Sequence, residues 1–144
     1  MRIKMPKSDS RNELLEMLAE PTDIAWQNIV EFWAASDHVY SGPAGPDGWI
    51  SPEYDLTQLI PIHIQEAEKC LVSGLANSNP NVVAYCIVAL HKLHDANGRF
   101  LPHEYAKIVE HRSESIDVTF GCFGSQPTLA RFATKFVDNY GIET

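Results

Sequence analysis

The stretch Val82–Leu90 is apolar at every position except Tyr85, and no other feature restricts the fold of this chain as strongly. It is far shorter than the roughly 20 apolar residues a helix needs to cross a bilayer. Val83, Cys86, Ile87, Leu90 and Leu93 recur at helical spacing, so the stretch reads as a helix with a wide buried face. Asn79-Pro80 supplies a cap followed by the imino acid favoured at the first helical position. Asn97-Gly98 supplies a left-handed stop.

The same punctuation marks other helices. Ser10-Arg11-Asn12-Glu13 has the form of a capping box, and Leu14, Leu15 and Leu18 follow as an apolar stripe that Pro21 ends. Thr22 or Asp23 opens a second helix to about Ala35, with Trp26, Ile29, Val30 and Trp33 at helical spacing and the two tryptophans as core anchors. A third runs from Leu56 to Ile64, where Pro61 marks a start or a kink. Ile64, Ala67, Cys70, Leu71, Gly74 and Leu75 form the inner face of the next. Pro102 begins a short helix with Tyr105, Ile108 and Val109 inward. In the last, Ser125 or Gln126 caps, Pro127 opens, and Leu129, Phe132, Ala133, Phe136, Val137 and Tyr140 line one face before Gly141. Ile116, Val118 and Phe120 alternate as in a strand, but a lone strand has no partner. Residues 113–124 are therefore read as helical or irregular. The expected fold is all-α, a helical bundle or a short stack of helical hairpins. It is one domain over residues 1–144, with a mobile end at 1–8 and a long Gly/Pro-rich loop at 36–55. Leu14, Leu18, Trp33, Leu71, Ile87, Leu90, Phe132 and Phe136 are expected in one core.

That loop carries Gly42-Pro43, Gly45-Pro46, Asp47-Gly48 and Ser51-Pro52, all turn chemistry. Loops of this length are uncommon in compact domains and are often functional. It interleaves His38, Tyr40, Trp49 and Tyr54 with Asp37, Asp47, Glu53 and Asp55. Rings supply contact area and carboxylates supply polarity matching, so these eight residues form a candidate partner-binding surface. The alternative is a loop whose aromatics fold back over the core.

Charge points the same way. The formal net charge is −8, and eleven acids with no Lys or Arg lie between Asn12 and Glu68, whereas acids and bases balance from Lys69 onward. A one-sided field of this kind favours a basic protein partner and repels nucleic acid and anionic membrane. Cys70, Cys86 and Cys122 form neither a disulfide framework nor a zinc-binding spacing, with Cys70 and Cys86 expected in the interior. A reducing, cytoplasmic setting follows. The sequence near Ser8–Asn12 lacks the apolar core of an export signal.

The segment from Glu66 to Leu93 resembles a HEAT-type helical hairpin. The likeness rests on a short polar turn with Pro80, followed by Val83, Ala84, Ile87, Ala89, Leu90 and Leu93. It departs from that family where an arginine commonly follows the first valine, since Val83 stands there. HEAT-like proteins are mostly scaffolds and binding surfaces, and the resemblance implies such a role. In general character the chain is also similar to small acidic immunity proteins of bacteria, which neutralise a toxin by binding it.

The histidines invite an enzymatic reading that the pattern does not sustain. His91 and His94, with Asp95, could share a helix face, as could His103 and His111. However, Lys107 stands where a metalloprotease helix would carry its second histidine. No P-loop, dinucleotide-binding glycine pattern or nucleophile elbow is present, and His63 is placed at the border of the core. The expectation is a protein-binding inhibitor of a basic toxin, without catalytic residues, metal or cofactor. A non-inhibitory adaptor and a small metal-dependent hydrolase are the alternatives.

Overall fold

Asn79 does cap a helix: its Oδ1 accepts the backbone N–H groups of Asn81 and Val82, and Pro80 is the first helical residue. The computed structural model describes residues 7–95 and 101–139. In chain order these form α1 (Lys7–Leu18), α2 (Thr22–Ala34), β1 (Val39–Ala44), α3 (Pro52–His63), α4 (Ala67–Gly74) and α5 (Pro80–Asp95). Then come α6 (His103–Ile108), β2 (Val118–Gly121), β3 (Phe123–Ser125) and α7 (Leu129–Asn139). Helix α5 is the hub, packing against α2, α3, α4, α7 and β1, and every residue from Val82 to His91 is buried. A helix apolar all round belongs in the interior, and this one is there. The eight residues expected in the core are all buried in it.

The all-α expectation is overturned by a three-stranded mixed sheet in the order β1-β2-β3. β1 pairs parallel with β2, Val39 opposite Val118 and Tyr40 opposite Thr119. β2 pairs antiparallel with β3, Val118 opposite Ser125, Thr119 opposite Gly124, and Phe120 opposite Phe123. The alternation of Ile116, Val118 and Phe120 is thus genuine strand pattern. Its partner lies in the segment expected to be structureless, where Gly42-Pro43 masks β1. Proline is tolerated there because β1 is an edge strand.

The β2–β3 pairing continues beyond the strands with unbroken register. Ile116 donates to the Pro127 carbonyl at 3.0 Å, Ser115 bridges Thr128, and Leu129 donates to the Glu114 carbonyl at 2.9 Å. The hairpin closes through Gly121-Cys122, with Gly121 at φ +64, as the first central position of a II′ turn requires.

Several local expectations shift. α1 starts at Lys7, so Ser10 lies inside it and Lys7 and Ser8 are helical; the remainder of the expected mobile end lies outside the described residues. The Asn97-Gly98 stop, Tyr140 and Gly141 also fall outside them. Pro21, not Thr22 or Asp23, precedes α2. α3 begins at Pro52 because Ser51 caps it, accepting the Tyr54 N–H at 3.0 Å, which shortens the long loop. Pro61 sits inside α3, two residues before its end. Ile108 points outward, and Thr128 takes the capping role at α7, its Oγ1 accepting the Arg131 N–H at 3.2 Å. Cys86 is buried as expected and Cys70 half-buried. α4 and α5 pack closely: a Cβ added at Gly74 would lie 2.4 Å from Cys86 Sγ and 3.1 Å from the Trp26 ring. No described helix is long and apolar enough to cross a membrane.

Candidate functional site

The N-terminal half of α5 positions the segment that joins α2 to β1. Asn81 Nδ2 donates to the Ser36 carbonyl at 2.8 Å. The Tyr85 hydroxyl donates to the His38 carbonyl at 2.9 Å and accepts the Tyr40 N–H at 3.0 Å. The Tyr85 ring in turn stacks on Trp33, centroids 5.4 Å apart and planes 17° from parallel. Trp33 Nε1 donates to the Glu53 carbonyl at 3.1 Å, which fixes the first turn of α3 to the same frame. A buried aromatic pair thus aligns two surface segments distant in sequence.

On that frame the outward side chains gather. His38 and Tyr40 rings lie 4.8 Å apart, and Trp49 meets Tyr40 edge-on at 5.4 Å. Trp49 is held by a reciprocal backbone pair with Ala44, 2.8 Å each way. Between them Gly45-Pro46-Asp47-Gly48 makes a turn closed by Gly48 N–H on the Gly45 carbonyl at 3.2 Å. Asp47 is exposed on that turn. His38 Nε2 lies 2.6 Å from Thr119 Oγ1, coupling the cluster to β2.

The acids are unevenly placed. Burial pushes the Glu53 carboxyl above its ordinary range; its own backbone N–H and the Ser51 hydroxyl oppose this, and the Asp37 charge adds to it. Burial, then the charges of Glu53 and Asp37, likewise push the Tyr40 hydroxyl up. Among the described residues Asp37, Asp47 and Glu53 make no ion pair. Asp55 differs, since both its oxygens accept from Arg11 of α1 and it is only 7% exposed. Tyr54 is 4% exposed, with the Lys92 ammonium 5.1 Å from its ring centroid. Of the eight residues singled out from sequence, Asp37, His38, Tyr40, Trp49 and Glu53 come together and Asp47 stands on the adjoining turn. Tyr54 and Asp55 are corrected to interior positions, because the Ser51-Pro52 helix start turns them toward α1 and α5.

The sheet adds residues that sequence reasoning missed. Phe120 and Phe123 are 56% and 79% exposed and face each other across the hairpin end. Phe120 lies against Gly42, where an added Cβ would come within 3.0 Å of its ring. Gly121-Cys122 between two short runs was the legible signal, a Gly-X hairpin turn.

Among the described residues no group of three or more His, Cys, Asp or Glu could hold a metal ion. The histidine pairs diverge: His91 packs on Phe136 at 5.0 Å, whereas His94 Nε2 lies 3.0 Å from Glu68 Oε2. That carboxylate oxygen also accepts the Tyr105 hydroxyl, which ties α4, α5 and α6 together and holds the Glu68 carboxyl below its ordinary range. His103, His111 and His63 are exposed, His63 in a groove that buried Leu18 and Ile64 also line. No family model, curated protein or solved structure matches this chain.

Proposed function

We propose that this chain is a protein-binding module, an inhibitor of the immunity type that neutralises a basic protein by direct contact in the cytoplasm. The observation carrying this reading is the juxtaposition at β1 and α3. Half-buried rings of His38, Tyr40 and Trp49 adjoin Asp37, Asp47 and Glu53, which make no ion pair among the described residues. Burial and the Asp37 charge both disfavour the ionised Glu53 carboxyl, and a partner's Lys or Arg would offset them. Aromatics give area with little side-chain entropy to lose, and the acids steer encounter. Neither role calls for catalysis, and the negative body disfavours nucleic acid and anionic membrane.

The test is capture of the partner from the native host and measurement of association and dissociation rates at several salt concentrations. Exposed charges act within a Debye length, about 8 Å at physiological salt. Joint Asp37→Asn, Asp47→Asn and Glu53→Gln substitution is expected to slow association and flatten its salt dependence. Trp49→Ala is expected to speed dissociation instead. An unchanged association rate and salt slope in the triple variant would refute the acidic face. Ile62, 74% exposed near the end of α3, favours a second reading as an adaptor. Salt-insensitive association abolished by Ile62→Lys would establish it.

A further inference from the structure

Register decides which backbone groups of the β2–β3 hairpin remain open. In a two-residue hairpin the closing pair, here Phe120 and Phe123, is hydrogen-bonded, and pairs alternate from there. Val118–Ser125 and Ile116–Pro127 therefore bond inward, as the Ile116 N–H on the Pro127 carbonyl at 3.0 Å bears out. Thr119–Gly124 and Asp117–Gln126 are the intervening pairs. Gly124 and Gln126 consequently turn their N–H and C=O groups away from β2, and among the described residues no hydrogen bond is made by those groups. Residues 123–126 are all exposed.

Natural edge strands are commonly guarded by lysine, an inward charge, a bulge or a covering loop. Phe123-Gly124-Ser125-Gln126 has no charged residue, and Gly124 leaves its backbone bare. Beside it runs a groove of about 500 Å³ lined by His38, Asp117, Val118, Gly124, Ser125 and Gln126. Asp117 is exposed there and reaches Gln126, whose Nε2 donates to it at 2.6 Å.

We propose that β3 is a docking edge that takes an extended, lysine- or arginine-bearing segment of the partner protein as a fourth strand. The inference rests on the reading of the acidic face given above and adds how the partner is held. Charge selects this occupant. Two copies of a chain with net charge −8 repel each other, whereas a basic segment laid along Gly124 and Gln126 meets Asp117 in the groove. Main-chain bonds to an open edge give affinity, and alternate side chains give selectivity.

The probe is a short capped peptide of alternating lysine and threonine, compared with the same peptide N-methylated at alternate amides. Both carry equal charge, and only the first can complete a ladder. With the unmodified peptide at saturation, amide exchange at Gly124 and Gln126 is expected to slow by about tenfold or more. The methylated peptide is expected to bind about tenfold more weakly and to leave those amides unprotected. Gln126→Pro, which removes an outward N–H, should weaken the unmodified peptide to a similar degree, while Gln126→Ala should not. Equal binding of both peptides without protection at Gly124 and Gln126 would overturn strand addition and leave the acidic face standing. Binding of neither peptide would overturn strand addition too, and the salt dependence of the captured partner would then decide the acidic face separately. Protection that grows with protein concentration in the absence of peptide would show a second copy on the edge, and would also overturn the proposal.

Discussion

Tyr85→Phe isolates one oxygen atom on which the proposed binding face depends. The ring remains, so its stack on Trp33 at 5.4 Å and the packing of a fully buried side chain are kept. What goes is the hydroxyl that donates to the His38 carbonyl and accepts the Tyr40 N–H. The Tyr40 N–H then loses its partner beside buried Val39, at a cost of about 1–3 kcal/mol if left unsatisfied, whereas the His38 carbonyl keeps the Ser36 hydroxyl at 2.7 Å. His38 and Tyr40 are themselves half-buried, so water replaces part of the loss. The expected destabilisation is about 1–3 kcal/mol, against a stability that is about 5–15 kcal/mol for most domains. Urea unfolding should show a lower midpoint with an unchanged slope, since the surface exposed on unfolding is the same. Amide exchange at Tyr40 should accelerate more than exchange in α7, which separates a local loss from a global one. A loss below about 0.5 kcal/mol, the scatter of ordinary surface substitutions, with Tyr40 still protected, would refute the claim that this hydroxyl anchors β1.

Two further outcomes follow from contacts already described. Gly74→Ala places a methyl group 2.4 Å from Cys86 Sγ, so thermal unfolding should report a loss of about 1–3 kcal/mol, largely recovered on adding Cys86→Ala. Because the folded-state pKa of Glu53 is raised, the parent loses stability as pH rises through that pKa. The stability difference between Glu53→Gln and the parent should therefore move in favour of the variant as pH rises from the ordinary glutamate pKa, about 4, through the raised folded-state pKa; a flat difference in urea melts over that rise would contradict it.

What could be read in the sequence follows physical range. α5 was legible because every signal for it is local: the Asn79 cap, Pro80 at the first position, and the apolar run. The sheet was not, because β1 and β2 recognise each other across residues 39 and 118. The Gly42-Pro43 pair within β1 also reads as punctuation, and β3 is too short to show alternation. The candidate site was legible in part. His38, Tyr40 and Trp49 do converge, but the reading placed Tyr54 and Asp55 with them. Ser51-Pro52, a cap followed by a first-turn proline, carried the correction: it starts α3 early and rotates both residues inward. Asp55 further depends on Arg11, more than forty positions away, a pairing no local pattern announces.

The parallel pairing of β1 with β2 also sets an order of events in time. α3, α4 and α5 are consecutive in the chain and pack on one another, so their contacts close short loops. Joining Val39 to Val118 closes a loop of most of the chain, and such closures are slow because their entropy is lost before any contact compensates. A chain emerging from the ribosome contains α2 to α5 well before residues 118–125 exist to complete the sheet. Until then His38 lacks Thr119 and the hairpin edge is absent. The surface proposed to meet the partner is thus completed only after α3 to α5 have emerged, and chains that end before residue 118 are unable to present it.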